Sequence, residues 1–303
     1  MRPKVLVIGS SNTDMVVQMP RLPAPGETVL GGDFVVAAGG KGANQAVAAA
    51  RLGAEVTFVA RIGTDMLGDQ SLQNFAADGL VTDYIVRDSS KPSGVALIMV
   101  GGGGENMIAV ASGANGQLGP ADVAQAKKAI AEASVMLLQL EIPMPAVLYA
   151  VEAASEAGLT VILNPAPARV LDEHLLERIT VLTPNATETE ILTGILPADE
   201  EGASRAADRL LEKGVTTVVI TLGKQGAFYA GEKGAGLVPG RSVEAIDTTA
   251  AGDAFNGALA VALASGRDLE ESVDFANSAA AISVTRVGAQ PSLPQLEELG
   301  VGS

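Results

Sequence analysis

The segment DTTAAGD (residues 247–253) combines residue types that could bind a phosphate group and move a proton. Asp and Thr are good helix-capping residues, and the apolar pattern that follows from Ala254 predicts a helix. The first turn of a helix carries unpaired N–H donors and a partial positive charge, which suits a phosphate. A carboxylate repels an anion at such a site. Asp253 is therefore better explained as a base that takes a proton from an attacking hydroxyl.

The scarcity of cysteine and histidine also favours Asp253 as the base. An isolated Asp at this position could instead stabilise the helix N-terminus. The chain has no cysteine, which excludes disulfides, thiolate nucleophiles and Cys-ligated zinc. Its one histidine, His174, lies in a charged helical stretch and is interpreted as a surface residue. A general base then has to be a carboxylate, Lys or Tyr, and this elimination favours Asp253.

Charge and hydropathy limit the partners that the protein can have. The 303 residues carry a formal charge of −15, which argues against nucleic acids and anionic membranes as partners. An anionic substrate must then be met by a local positive site. No apolar run approaches the roughly 20 residues of a membrane span. Residues 1–4 lead straight into an apolar strand without a signal sequence, so we expect a soluble, cytoplasmic protein.

Strands and helices alternate along most of the chain, which predicts an α/β fold with a mostly parallel central sheet flanked by helices. Strand-like segments that do not alternate with helices fall within residues 14–38 and 93–112, and they predict a small accessory sheet. No linker or repeat interrupts the pattern, so we expect one domain over residues 1–303. Among the helices that the apolar periodicity predicts are those over residues 45–52, 120–133 and 294–299.

Polar side chains after predicted strands form a candidate site for a sugar. Asn12 and Asp14 follow the first strand, and Glu141 ends a later one. In α/β sheets such residues meet in a crevice at the carboxyl ends of the strands. Asp and Asn side chains together accept and donate hydrogen bonds, which matches the vicinal hydroxyls of a sugar. The Gly-rich turn 39–44, which ends with Asn44, could let a ligand approach the backbone closely, although a plain strand–helix turn is the alternative.

Two further turns are candidates for nucleotide and magnesium contacts. Segment 221–226 ends a strand with a hydroxyl, free amides and a lysine, which could contact a nucleoside triphosphate. Asn185 and Glu188 lie three residues apart at the start of a helix, and their oxygens could hold a hydrated Mg²⁺ through water. The same spacing fits a capping box equally well. The Rossmann fingerprint and the Walker loop are absent, so hydride transfer and P-loop ATPase chemistry have no support.

Taken together, these segments resemble the ribokinase family of carbohydrate kinases over essentially the whole chain. The blocks GGKGANQA (39–46) and DTTAAGD (247–253) are specific to that family. Further matching segments are residues 9–14, 25–28, 164–169, 183–185 and 285–292. The resemblance implies a three-layer α/β/α fold with a small β-sheet lid. It also implies an ATP-dependent transfer of phosphate to a sugar hydroxyl.

The resemblance assigns a role to each matching position. Asp253 would activate the primary 5-hydroxyl of ribose for attack on ATP, giving ribose 5-phosphate, and the amides of Ala250, Ala251 and Gly252 would form the anion hole. Asn277 falls where the family often carries a histidine near the adenine. Together with Asp253, the positions that match sugar-binding residues are Asn12, Asp14, Gly40, Lys41, Gly42, Asn44 and Glu141. The positions that match ATP-binding residues are Asn185, Thr221, Gly223, Lys224, Gly226 and Gly252.

Members of the family also use metal ions and assemble into dimers. Asn185 and Glu188 match the motif that organises Mg²⁺. The accessory sheet matches the family's lid, which also forms the dimer interface, so a homodimer is expected. Two alternatives stay open: a kinase for deoxyribose, another sugar or a nucleoside, and a non-catalytic sugar-binding protein on the same scaffold. The positions that match a monovalent-cation site, usually for potassium, are Asp247, Thr249, Ser283, Arg286, Gly288 and Ser292.

Overall fold

Thirteen strands and ten α-helices make up the part of the chain that the computed structural model describes, residues 2–300. The strands are β1 (Lys4–Ile8), β2 (Asn12–Met19), β3 (Phe34–Gly39), β4 (Glu55–Gly63), β5 (Ile85–Asp88), β6 (Gly94–Gly101), β7 (Asn106–Ala111), β8 (Val135–Leu138), β9 (Thr160–Leu163), β10 (Val181–Leu182), β11 (Thr217–Thr221), β12 (Gly226–Gly231) and β13 (Gly234–Pro239). The helices are α1 (Lys41–Arg51), α2 (Met66–Ala77), α3 (Pro120–Gln125), α4 (Lys127–Glu132), α5 (Met144–Glu156), α6 (Glu173–Leu176), α7 (Ala186–Thr193), α8 (Glu200–Glu212), α9 (Ala251–Ala264) and α10 (Leu269–Ser283). Within residues 2–300, no helix is long and apolar enough to cross a membrane.

Nine of the strands form a central sheet in the order β13-β12-β11-β10-β9-β8-β1-β4-β5. Strand β12 runs antiparallel to both of its neighbours, and every other neighbouring pair in this sheet is parallel. The predicted α/β fold with a mostly parallel central sheet is therefore confirmed. The carboxyl ends of β1, β8 and β11 lie at one edge of this sheet, which is where the predicted polar residues follow.

The side chains of β1 alternate between two apolar cores. Leu6 and Ile8 pack into the core formed with α3, α5 and α8, whereas Val5 and Val7 pack into the core formed with α1, α9 and α10. Because successive side chains of a strand point to opposite faces, a continuously apolar strand needs a layer of helices on each face. The central sheet therefore lies between two helical layers.

The remaining four strands form a separate small sheet in the order β3-β2-β6-β7. In chain order its first strand is β2, which begins at Asn12, two residues before the predicted start of the accessory sheet at residue 14. The reason is that Asn12 already pairs with Gly39 of β3 and with Gly94 of β6. Asn12 and Asp14 therefore lie in β2, a strand of the small sheet, and not in a loop after β1. This placement ties two predicted sugar-binding residues to the position of the small sheet.

Several element boundaries differ from the prediction. Helix α1 begins at Lys41 and not at residue 45, because Gly40 makes the preceding turn with a φ of 89°. The helix predicted over 120–133 is interrupted at Ala126, and nothing in the local sequence explains the break. Segment 294–299 forms only a 3₁₀ turn. Strand β5 is absent from the predicted elements because most of its side chains are only half-buried, which weakens the apolar pattern.

Candidate active site

Asp253 lies in the first turn of α9, and its side chain is only 5% exposed. Asn44 Nδ2 donates a hydrogen bond to its Oδ2 at 2.9 Å, and Gln45 Nε2 donates to its Oδ1 at 2.9 Å. Burial raises the pKa of Asp253, while Lys41 and these two amides oppose the shift. The predicted base is thus a buried carboxylate with a hydrogen-bond donor on each oxygen.

The N-terminus of α9 faces an open cleft of about 490 Å³. Ala251 and Gly252 line this cleft, and a Cβ at Gly252 would meet no atom within 4 Å. The preceding Ala250 has a φ of 59°, which is uncommon for a residue other than glycine. The first N–H groups of a helix lack intrahelical acceptors, but that of Ala251 donates to Thr248 O at 3.2 Å. The predicted anion hole is therefore an open helix N-terminus in which the Ala251 amide also bonds to its own loop.

Two glycines bring the start of α1 against the end of β1. A Cβ at Gly40 would lie 2.6 Å from the backbone N of Asn12, and one at Gly42 would lie 2.5 Å from the backbone N of Ser10. These glycines make room for the backbone of the protein itself, whereas the sequence led us to expect the close approach of a ligand. Their effect is to place α1, with Lys41 in its first turn, directly beside the small sheet.

Glu141 joins the segment after β8 to the start of α1. Its Oε2 accepts hydrogen bonds from Ser10 Oγ at 2.6 Å and from Lys41 N at 3.1 Å, and Ser10 Oγ also accepts from Gly42 N at 3.3 Å. Ser10 was not among the predicted site residues, although it stands in the segment 9–14 that resembles the kinase family. The Glu141 carboxylate thus contacts Lys41 directly and Gly42 through the Ser10 hydroxyl, and all three residues besides Ser10 are predicted sugar-binding positions.

Four carboxylates act electrostatically on the Lys41 ammonium. Burial by itself lowers the pKa of Lys41, but Asp253, Glu141, Glu188 and Asp14 together raise it above its ordinary value, so Lys41 is charged. Burial, followed by Glu141 and Asp253, raises the pKa of Asp14 to about 6, with Lys41 opposing. A cluster with more carboxylates than cations is rich in hydrogen-bond acceptors and therefore suits a ligand with several hydroxyl donors.

Asn12 is held in place by Asn115, which the sequence did not single out. Asn115 Nδ2 donates to Asn12 Oδ1 at 2.8 Å and to Ser11 O at 2.9 Å, and Asn115 Oδ1 accepts from Ser11 N at 2.9 Å. These contacts engage the oxygen of the Asn12 amide, so its N–H groups are the part that can donate to a ligand. Asn115 lies 104 residues from Ser11 in the chain, so no local pattern could have paired them.

The cleft beside α9 contains most of the predicted ATP-binding residues. Asn277 Nδ2 donates to Val238 O at 3.1 Å, which joins α10 to the end of β13. Asn185 is not in the lining of the cleft. Its backbone forms a β-bridge with Thr221, which does line the cleft, so Asn185 lies next to it. Arg241 and Ser242 also line the cleft, and neither was predicted. The predicted residues in the lining are Thr221, Gly223, Lys224, Gly226, Gly252 and Asn277.

Asn185 and Glu188 form a capping box at the start of α7. Asn185 Oδ1 accepts from Glu188 N at 2.8 Å, and Glu188 Oε2 accepts from Asn185 N at 2.8 Å. The capping alternative is therefore present, and the magnesium role stays a prediction. Among residues 2–300, no group of three or more His, Asp or Glu side chains is placed to hold a metal ion.

Asp247 joins its own loop to the segment after α10. Its Oδ1 accepts from Thr249 N at 2.9 Å and Thr249 Oγ1 at 2.6 Å, and its Oδ2 accepts from Gly288 N at 2.8 Å. Burial favours the neutral acid, but these hydrogen bonds together lower the pKa of Asp247 below its ordinary value. Three of the six predicted cation-site residues are thus in direct contact.

The other three predicted cation-site residues have side chains engaged elsewhere. The hydroxyls of Ser283 and Ser292 each donate to a backbone carbonyl three residues earlier, at 2.8 Å. The guanidinium of Arg286 pairs with Glu298. The two hydroxyl oxygens keep lone pairs that can accept, whereas the guanidinium has none, so Arg286 could contribute to a cation site only through its backbone carbonyl.

Buried amides behind Asp253 were not predicted as part of the site. Gln45 Nε2 donates to Asn164 Oδ1 at 3.1 Å as well as to Asp253, and Gln45 Oε1 accepts from Gln139 Nε2 at 2.5 Å. The available signal in the sequence is that Gln45 directly follows Asn44 and is the last polar residue before an Ala-rich helical stretch. Its partners come from distant parts of the chain, so the sequence alone does not connect them.

Comparisons with known proteins identify a family and several chains similar to this one over nearly its whole length. The family model described as pfkB family carbohydrate kinase matches residues 2–296. The chain is 46% identical over 298 residues to the ribokinase of Haemophilus influenzae, covering 98% of this chain and 97% of that protein. It is 38% identical over 296 residues to the deoxyribokinase of Salmonella typhi, covering 97% and 96%.

A solved structure supports the match in three dimensions. The ribokinase of Arabidopsis thaliana complexed with ribose and ATP superposes with a TM-score of 0.92 at 34% identity, covering 99% of this chain and 98% of that one. The family model and these relatives extend over nearly the whole chain. The protein therefore belongs to the pfkB family of carbohydrate kinases.

Proposed function

We propose that the protein transfers the γ-phosphoryl group of ATP to the 5-hydroxyl of ribose, giving ribose 5-phosphate and ADP. The observation that carries this proposal is the position of Asp253. Its carboxylate is hydrogen-bonded to Asn44, a predicted sugar-binding residue, and Asp253 directly follows Gly252, which lines the cleft. A base in this position can reach a sugar on one side while the helix N-terminus meets a phosphate on the other. The ribokinases among the similar proteins support ribose as the acceptor.

Each group in the site has a step to perform in this reaction. Asp253 takes the proton of the 5-hydroxyl, whose oxygen forms a bond to the γ-phosphorus. The bond between that phosphorus and the β–γ bridging oxygen breaks, and ADP leaves. The open N–H groups at the start of α9 and the charged Lys41 stabilise the negative charge on the transferring group.

The sugar is proposed to bind between the start of α1 and the small sheet. Asn44 Oδ1 is buried and has no hydrogen-bond partner among the described residues, so it can accept a hydrogen bond from a ligand hydroxyl. Asp14 and Glu141 supply carboxylate acceptors beside it, and Asn12 supplies amide donors. We propose that the small sheet acts as a lid, because Asn12 and Asp14 belong to its strand β2.

The residues near the phosphate site fit the metal ions that such a reaction uses. The capping box employs Oε2 of Glu188, and we propose that Oε1 holds a water of Mg²⁺ beside Asn185. Bound Mg²⁺ would neutralise charge on the phosphates of ATP. Asp247 and the backbone carbonyls near Gly288 are proposed to hold a monovalent cation, for which potassium is the expected ion. We also propose that the protein is cytoplasmic, because the proposed reaction consumes ATP.

A homodimer through the small sheet is also part of the proposal. The strand register places Met15, Val36 and Leu97 on one face, opposite the face that carries Asn12 and Asp14. Val36 and Leu97 are about half exposed, and Phe34 on the same face is 62% exposed. An apolar face of this kind is typical of a surface that a second subunit covers.

The proposed activity is tested by ADP release from MgATP with ribose, 2-deoxyribose, fructose and adenosine as acceptors, in potassium and in sodium buffer. Preferred turnover of ribose that rises with potassium is the expected result. A preference for 2-deoxyribose would favour the second candidate, a deoxyribokinase activity like that of the Salmonella typhi relative. Ribose binding without turnover would instead favour a non-catalytic sugar-binding protein.

A further inference from the structure

Gln45 occupies a position that no ligand can reach. Its side chain lies in α1 with no exposed surface, and Gln139 behind it is equally buried. Both N–H groups of the Gln45 amide are used, one by Asp253 Oδ1 at 2.9 Å and the other by Asn164 Oδ1 at 3.1 Å. Its oxygen accepts from Gln139 Nε2 at 2.5 Å. Every polar atom of Gln45 is therefore engaged within the protein.

The carboxylate of Asp253 determines which way this amide points. An ionised carboxylate only accepts hydrogen bonds, so the atom of Gln45 that faces it has to be the NH₂ group. The Gln45 oxygen must then face Gln139, which donates through its own NH₂ group. Three partners hold Gln45 in a single orientation, whereas Asn44, the other donor to Asp253, has an oxygen without a partner within residues 2–300.

Several charged groups act on Asp253 besides these amides. Lys41 of α1 is a cation that lowers its pKa, while Glu141 after β8 raises it. Asp14 of β2 and Glu188 of α7 are further carboxylates that interact with Asp253. Burial and three carboxylates thus oppose the ionised form that a general base needs.

We infer that Gln45 is a positioning residue for the base: its buried amide holds the Asp253 carboxylate in one orientation and keeps it ionised at the pH at which the enzyme works. Lys41 and Asn44 also favour the ionised form, but both belong to the proposed ligand site and can change their contacts when substrates bind. Of these three residues, Gln45 is the one that lies outside the proposed ligand site, and its hydrogen bond to Asp253 can therefore persist when substrates bind. This inference rests on the proposed function, because it assumes that Asp253 acts as the base.

The test is the pH dependence of kcat for ribose phosphorylation, measured at saturating ribose and MgATP so that the bound complex is observed. Gln45→Met keeps the length of the side chain and removes its donors. The acid limb of this profile is the pH range over which kcat falls as the base is protonated. Loss of a hydrogen bond to the buried Asp253 carboxylate is expected to move this limb upward by about one to two pH units. Turnover is expected to recover at higher pH, and the KM for ATP to stay near the wild-type value.

Gln139→Met is the matched control, because it removes an equally buried amide and leaves both hydrogen bonds that Gln45 donates. Among the described residues, Gln139 makes one side-chain hydrogen bond and Gln45 makes three, so Gln139→Met is expected to lower the melting temperature less than Gln45→Met. Because it removes only the contact to the Gln45 oxygen, it should move the acid limb much less than Gln45→Met does. Gln45→Glu is the second test variant if Gln45→Met does not fold. It places a second carboxyl group against Asp253, so it should move the acid limb upward as well.

The outcomes separate this inference from the proposed function. If the wild-type enzyme turns over ribose and both Gln45 variants keep its acid limb, the inference is refuted and the function stands. An equal shift in Gln139→Met also refutes it, since the effect would then come from a loosened core. If the wild-type enzyme turns over none of the acceptors, the proposed function fails and the inference fails with it.

Discussion

Replacing Asp253 with Asn removes the proposed base, and the structure can still accommodate the new side chain. Gln45 is held by Asn164 and Gln139, so it should keep its hydrogen bond to the oxygen of the new amide. The new NH₂ group then faces Asn44, whose Oδ1 has no partner among the described residues. Asn44 can therefore turn its amide over and accept this hydrogen bond. The substitution changes the chemistry of one group with little change in packing.

The expected loss is large in activity and small in stability. General-base catalysis usually contributes about 10²–10⁴-fold to kcat. This range equals about 3 to 5 kcal/mol of transition-state stabilisation. Because burial raises the pKa of Asp253, the folded protein binds this proton more tightly than the unfolded chain does. Ionisation therefore costs stability as the pH rises above the unfolded value, and a neutral Asn avoids that cost.

The assay compares ADP release, ribose binding by calorimetry and thermal unfolding for wild type and Asp253→Asn. We expect ribose binding to persist, because the turned Asn44 amide would present its NH₂ group to the ligand and can donate to a hydroxyl oxygen instead of accepting from the hydroxyl. The melting temperature near neutral pH should stay within about 3 °C of wild type or rise. Asp199→Asn is the control, because Asp199 caps the N-terminus of α8 and Asn caps a helix equally well. If Asp253 only stabilised a helix N-terminus, both variants would keep their turnover. Near-wild-type turnover by Asp253→Asn would refute its role as the base.

Three further predictions concern the sugar site, the cation site and the small sheet. Since burial and neighbouring carboxylates raise the pKa of Asp14 to about 6, and its ionised form is proposed to accept sugar hydroxyls, the KM for ribose should fall as the pH rises. Between about pH 5 and pH 8 the expected fall is about tenfold; a KM with the same pH dependence in Asp14→Asn would contradict this. Asp247→Ala should raise the potassium concentration for half-maximal activity at least about tenfold, with little change in ribose affinity, and an unchanged potassium response would argue against the site. Leu97→Lys should yield monomers by sedimentation, whereas Ile108→Lys, on the opposite face, should not; dimers in both variants would exclude the proposed interface.

Much of the framework could be predicted from local patterns in the sequence. The apolar run of β1 indicates a strand buried on both faces, and the structure places its side chains in two cores. The capping spacing of Asn185 and Glu188 predicts the hydrogen bonds that are observed. These features depend on residues close together in the chain. Backbone preference and side-chain periodicity within such a window are sufficient to specify them.

The ends of helices and strands were predicted less accurately where they depend on residues that are distant in the chain. The first strand of the small sheet begins at Asn12 because Gly94 and Gly39 pair with it, and neither pairing can be read from the residues around Asn12. The start of α1 at Lys41 depends on Gly40, which fits closely against Asn12. The sequence identified these glycines, but their use became clear only once the elements were packed together.

The sequence by itself predicted the kind of chemistry: Asp253 as the available base, a helix N-terminus for phosphate, and polar residues for a sugar. Only the tertiary structure decided what holds that base. Asn44 and Gln45 reach Asp253 across 209 and 208 residues of chain, and Asn164 and Gln139 come from two other strand ends. Hydrogen bonds over such separations arise from the packing of α1 against α9 and the central sheet. Because that packing is a property of the whole core, no local stretch of the sequence encodes it.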